Sequence, residues 1–151
     1  MYEFSSADMT KARKLLENGA TCALVKGDSS VCSSERGVSF LFSLVSEKKK
    51  FEGYSVADKI VGKAAAYLLV LLGVKAVFAS VISRSALRVL QDGGASVSYD
   101  VVCPYIINRN GTAPCPMEIA VENALSPSDA AEKIRSALES LRLKTSSSDD
   151  A

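Results

Sequence analysis

The sequence contains no histidine and no tryptophan. Without histidine it lacks the commonest metal ligand and the commonest general base near neutral pH. Cysteine is scarce: four residues, at 22, 32, 103 and 115, and no two share the C-x-x-C spacing of a zinc or redox site. They read as reduced thiols, with a Cys22–Cys32 disulfide across a hairpin as the alternative. An excess of charge of either sign is also missing. Eighteen Lys+Arg stand against seventeen Asp+Glu, a net charge of +1, whereas a domain built on phosphate contacts carries a clear basic surplus. Nucleic acid is therefore disfavoured as a partner. The longest apolar run, AAAYLLVLLGV over residues 64–74, is closed on both sides by Lys63 and Lys75. A membrane span needs about 20 apolar residues, so this run reads as a buried helix and no membrane contact is expected. Residues 1–10 include Glu3 and Asp8 and have no apolar centre, unlike a secretory signal. The expected location is cytoplasmic, and the Asn110-Gly111-Thr112 sequon then carries no weight.

What is present fits one folded domain. Of 151 residues, 48% are hydrophobic and 23% charged. The domain is expected over residues 1–143, followed by a polar, disordered tail over 144–151. No internal repeat is visible. Met9, Ala12, Leu15 and Leu16 repeat at helical spacing over 8–18, and Gly19 follows as a stop. Residues 20–26 and 30–34 read as a hairpin turning at Gly27-Asp28. Val38, Leu41, Phe42 and Val45 place a helix over 38–47, closed by Lys48–Lys50. Ser55-Val-Ala-Asp58 matches a capping box, with Asp in place of Glu, and predicts the longest helix over 56–72 with Gly73 as its stop. A strand is expected at 75–81, a helix at 84–91 capped by Ser83, and a strand at 96–102. Residues 104–113 read as irregular or a small hairpin about Asn110-Gly111. Pro116 starts a helix to residue 124, and a last helix covers 126–143. A hairpin followed by strand–helix–strand units predicts an α/β fold, a three-layer α/β/α sandwich on a mixed sheet.

Three segments carry a resemblance: Ser34-Glu35-Arg36-Gly37-Val38, then residues 55–66 with the block ADKIVGKAAA, then Pro114-Cys115-Pro116-Met117-Glu118. Over about residues 8–125 the chain resembles a small family of bacterial proteins known only as a domain of unknown function and assigned to the cytidine-deaminase-like fold. The resemblance implies that fold and no established activity. Zinc deaminases place His/Cys-x-Glu at the start of the helix after the hairpin and Pro-Cys-x-x-Cys at the start of the helix after the next strand. On the predicted elements those starts fall at Asp58-Lys59 and at Val81–Arg84, where no zinc ligand of that kind stands. No zinc site and no other cofactor is expected.

The candidate site gathers at helix starts. Asp58, Lys59, Gly62 and Lys63 fall on one face of the predicted helix 56–72, near its positive end. Gly62 costs about 1 kcal/mol relative to Ala inside a helix, which suits close approach by a ligand or by another helix. Lys63 would supply the charge for an anion. Gly62-Lys63 is no Walker A motif, since Ala64 replaces Ser/Thr. Arg84 lies at a strand-to-helix junction, where α/β sheets gather ligands. Cys115 precedes a helix that could lower its pKa, while Glu118 adds an opposing charge. Each has a plainer alternative: Asp58 and Cys115 as caps, Glu118 closing a capping box, Gly62 a packing contact, the lysines and Arg84 solvated. Arg36 and Arg109 are weaker loop candidates. The expected function is zinc-free binding of a small anionic or nucleotide-like ligand. One alternative is a metal-independent enzyme using Lys63 or Cys115, with Asp58 or Glu118 carrying the proton. The other is a non-catalytic interaction module forming a homodimer through an apolar helix face.

Overall fold

The computed structural model describes residues 7–35, 37–106 and 115–149. Helix α1 (Ala7–Glu17) leads into a hairpin of β1 (Cys22–Lys26) and β2 (Ser29–Ser33). Gly27 turns it with a φ of +59°, and its neighbour Asp28 has no positive φ, which matches a type II′ turn with glycine first. Helix α2 (Ser39–Ser46) follows.

The predicted helix 56–72 is two elements. Residues Ser55–Val61 form strand β3, and only Lys63–Leu72 form helix α3. The Ser55–Asp58 capping box does not exist: Ser55 is fully buried in the strand, and its hydroxyl has no hydrogen-bond partner among the described residues. Val56, Ile60 and Val61 are β-branched, and the strand pairs with β1 on one side and β4 on the other. Those pairings override a helix-start pattern that is only local. Gly62 ends the strand and becomes the α3 N-cap, so it does not lie inside a helix.

Strand β4 (Ala76–Ser83), helix α4 (Arg84–Asp92), strand β5 (Ser96–Cys103) and helices α5 (Pro116–Ala120) and α6 (Pro127–Asp149) complete the chain. Ser83 caps α4 as expected, its hydroxyl accepting from the Ala86 N–H at 3.2 Å. Pro116 opens α5, which is shorter than the expected 116–124. Helix α6 continues to Asp149, so the stretch expected as a disordered tail from 144 is helical up to that residue; neither Gly nor Pro stands between Leu143 and Asp149 to stop it. The expected hairpin at Asn110-Gly111 lies outside the described residues, as do Arg36 and Arg109.

The sheet is mixed and five-stranded, in the order β2-β1-β3-β4-β5. Strand β1 is antiparallel to β2 and β3, while β3, β4 and β5 run parallel. Helix α1 packs on one face: Met9, Ala12 and Leu16 meet Ala23, Val25, Ala57, Ala76 and Phe78. The main core lies on the other face, where α3 buries Ala64, Ala65, Ala66, Leu68, Leu69 and Leu72 against Leu24, Val56 and Val77 of the sheet and Ile134 of α6. Both crossovers, through α3 and through α4, step the sheet in the same direction, which places their helices on the same side.

Candidate functional site

Helices α3 and α4 begin at the carboxyl ends of neighbouring parallel strands, so Gly62, Lys63, Ser83 and Arg84 stand at one end of the sheet. Gly62 is buried with extended backbone. The first two amides of α3 point at a carboxylate from the same chain. Glu118 of α5 accepts the Lys63 N–H through Oε1 at 2.8 Å and the Ala64 N–H through Oε2 at 3.0 Å. A helix N-terminus favours an anion through its unpaired N–H groups and its dipole, and here Glu118 is that anion. Gly62 makes room for it: a Cβ at 62 would stand 2.6 Å from Oε2 and 2.7 Å from Cδ of Glu118. The close approach inferred for Gly62 is real, and what approaches is a side chain of this protein.

Lys63 is also engaged. Its ammonium donates to the backbone carbonyl of Glu122 at 3.0 Å and lies 5.9 Å from the centre of the Tyr67 ring. The plainer reading of Glu118 is corrected as well. It does not fold back on its own helix, because the Cys115 N–H donates to the Ile106 carbonyl at 3.0 Å and the carboxylate reaches α3. Cys115 is the α5 N-cap residue, but its side chain makes no capping bond.

Asp58 and Lys59 are separated from this cluster by their place in β3. Lys59 is exposed, and its N–H donates to the Thr21 carbonyl at 3.0 Å. Asp58 is 8% exposed and faces Cys22 of β1, its antiparallel register partner. Burial lifts the Asp58 carboxyl from 3.8 to about 7, against the opposing pull of the Ile60 and Lys59 amides and the Cys22 thiol. Burial likewise pushes the Cys22 thiol well above its ordinary range, and the Asp58 charge adds to it. Arg84 is exposed at the first position of α4.

The structure therefore brings Gly62, Lys63 and Glu118 together, with Cys115 one turn before Glu118. It places Asp58, Lys59 and Arg84 apart from that contact. Sequence reasoning missed two partners, Cys22 for Asp58 and Glu122 for Lys63, because strand register and α5 docking have no local signature. All four cysteines are free. Cys22 and Cys32 cannot bridge: Cys22 registers with Ser33 and Cys32 with Ala23, so the two thiols lie on opposite faces of the sheet. Among the described residues, no three His, Cys, Asp or Glu side chains gather as a metal site would require, and no helix is long and apolar enough to cross a membrane.

Other features collect at the outer edge of β5. Among the described residues no strand pairs with that edge. Tyr99, Val101 and Val102 of β5 and Tyr105 beyond it are exposed. Val101 registers with Val81, and Val81 with Ile60, so an apolar row crosses three strands. Ile60 and Val101 in that row are each more than half exposed, at 56% and 53%.

A mixed, five-stranded α/β domain with a carboxylate-filled helix start defines the class. Residues 11–138 match the TM1506 domain of unknown function, DUF1893, and the chain belongs to that family. A solved structure of a DUF1893 family protein, TM1506 from Thermotoga maritima, is similar at 28% identity. The match covers 89% of this chain and 91% of that one, with a TM-score of 0.75. No curated protein matches.

Proposed function

We propose that the chain is a non-catalytic interaction domain on a deaminase-like scaffold, working at the outer edge of β5. The observation that carries this reading is an outer edge that no strand among the described residues pairs with, flanked by exposed Tyr99, Val101 and Val102. An exposed edge offers a row of free N–H and C=O groups to another strand. Contiguous exposed apolar surface of this kind marks interaction sites in soluble proteins.

The scaffold part of the proposal follows the resemblance, with its positions revised. In the observed element order the helix after the hairpin is α2 and the helix after the next strand is α3. The two zinc-motif positions move to the region of Val38-Ser39 and to Gly62-Lys63-Ala64-Ala65. Neither offers thiolate or imidazole, and Glu118 stands where the second motif would present thiolates. The enzyme alternative loses support because the Lys63 ammonium and the Glu118 carboxylate are already bound by partners within the chain. A cytoplasmic location belongs to the same proposal.

Selection of displayed random peptides on the immobilised chain tests the reading. Peptides with alternating apolar residues should be recovered, and a Tyr99→Lys/Val101→Lys variant should lose them. Recovery of the same peptides on both proteins, or of none on the wild type, overturns it.

A second reading, a site for a small anionic or nucleotide-like ligand, is favoured by one observation: the α3 amides already hold an oxyanion in two-point contact. On Glu118→Ala, added phosphate or nucleotide should raise the melting temperature more than on wild type. Equal shifts remove α3 as the place of binding.

A further inference from the structure

We propose that the sheet face beyond the end of α1 docks an amphipathic helix of a partner protein, one that carries an acidic and a basic residue two turns apart beside an apolar stripe. The site is a face and not the β5 edge, so it goes beyond the edge-docking function and does not depend on it.

A break in strand alternation builds this face. Side chains two apart along a strand share a side, and Val77 and Ala79 of β4 follow that rule in the main core. Ile82 returns to the same core, which leaves Ser80 and Val81 together on the opposite side. The neighbouring strands break at the same level. Asp58 and Val61 of β3, and Tyr99 and Val102 of β5, are the register partners of Ala79 and Ile82, and they enclose Lys59-Ile60 and Asp100-Val101. Register pairing lapses at Lys59, Ser80 and Asp100 and resumes at Ile60, Val81 and Val101. Asp58 holds the break on β3: its Oδ1 accepts the Ile60 N–H at 3.4 Å, a local side-chain bond that competes with regular strand structure.

Each strand thus offers a polar residue followed by an apolar one. Lys59, Ser80 and Asp100 form one row, and Ile60, Val81 and Val101 form the next. Ile60 and Val101, at the ends of the apolar row, are more than half exposed. Lys59 and Asp100, at the ends of the polar row, are exposed, and neither side chain has an ion-pair partner among the described residues. Adjacent strands lie about 4.8 Å apart, so this cation and this carboxylate stand about 10 Å from each other across β4. The sheet residues that α1 buries end at Ala57 on β3 and Phe78 on β4, where the Arg13 guanidinium lies over the Phe78 ring. Helix α1 therefore leaves both rows uncovered.

Backbone bonding and charge select the occupant. Strands β3 and β4 are paired on both sides, so this face has no free ladder to offer, and a segment lying on it must satisfy its own backbone groups. A helix does so. Two turns of helix rise about 10.5 Å, which matches the spacing of Lys59 and Asp100. An acidic residue at one end then meets Lys59, a basic residue at the other meets Asp100, and the apolar stripe between them rests on Ile60, Val81 and Val101. A helix with the opposite polarity sets like charges together at both ends, so the two charges fix direction as well as partner.

The test is selection of displayed, helix-favouring peptides on the immobilised full chain, followed by fluorescence anisotropy with the recovered peptides. These should carry an apolar stripe with an acid and a base about seven positions apart. Ile60→Lys should weaken their binding about tenfold or more with an unchanged melting temperature, since Ile60 is exposed. Tyr99→Lys should leave binding as it is, because Tyr99 registers with Ala79 of the main core side. The paired variant Lys59→Glu/Asp100→Lys should lose the peptides and bind versions in which acid and base are exchanged. Failure to recover any peptide that depends on Ile60 overturns the proposal, as does equal binding of the original peptides to the charge-exchanged protein. Peptides lost on Tyr99→Lys but kept on Ile60→Lys belong to the β5 edge, and finding only those removes the face while the edge function stands.

Discussion

Asp58 is a carboxylate held in the core beside a thiol, and its protonation is coupled to stability. The folded chain holds the proton up to about pH 7, while the unfolded chain releases it near 3.8. Between these values the native state binds more protons than the unfolded state, so stability falls as pH rises through that window. The loss is at most about 1.4 kcal/mol per pH unit. Asp58→Asn removes the titration and keeps the shape. Its melting temperature should stay flat from pH 4 to pH 8, converge with wild type near pH 4 and lie several degrees higher at pH 8. A variant that tracks wild type across the whole range would show that Asp58 is ionised without cost. Glu118 is placed differently: it is a carboxylate to which two helix amides donate.

At the scale of elements, Gly62, Glu118 and the first turn of α3 act as one unit. In Gly62→Ala the new methyl group would displace the Glu118 carboxylate and break its bonds to the α3 amides. The substitution should cost about 1.5–3 kcal/mol, the range for hydrogen bonds to a charged group. In a Glu118→Ala background there is no carboxylate to displace, so Gly62→Ala should cost well under 1 kcal/mol there. Chemical denaturation of the four proteins closes the cycle, and additive effects would separate Gly62 from Glu118. The same region shows what a sequence can and cannot disclose. The hairpin at Gly27, the Ser83 cap and the strand-helix-strand order after residue 75 were legible, because each rests on residues within a few positions of one another. Strand β3 was not. Ser55-Val-Ala-Asp58 carries a helix-start pattern, and only pairing with β4, 21 residues away along the chain, and with β1, 30 to 36 residues away, makes it a strand. Read as a helix, the segment sets Asp58 and Lys59 beside Lys63 on one face, a face the strand does not have. Gly62 was singled out for a sound reason, but the group approaching it comes from residue 118.

For the whole molecule, the two sides of the sheet are very unequal. One carries α2 through α6 and most of the large buried side chains. The other is covered by α1, whose contacts are largely with alanines: Ala23, Ala57 and Ala76, together with Val25 and Phe78. Small side chains bury little area, and buried area sets how firmly an element is held. Helix α1 should therefore detach at a free energy below that of global unfolding, as a separate cooperative unit. Native-state hydrogen exchange would show this as amides of Ala7–Glu17 exchanging well before those of Lys63–Leu72, with a shallower dependence on denaturant. Equal protection of the two helices would refute it. When α1 lifts, it uncovers Phe78 and the central strands while the main core stays closed, so the chain can pass through a partly open form in which its second sheet face is available without the rest having unfolded.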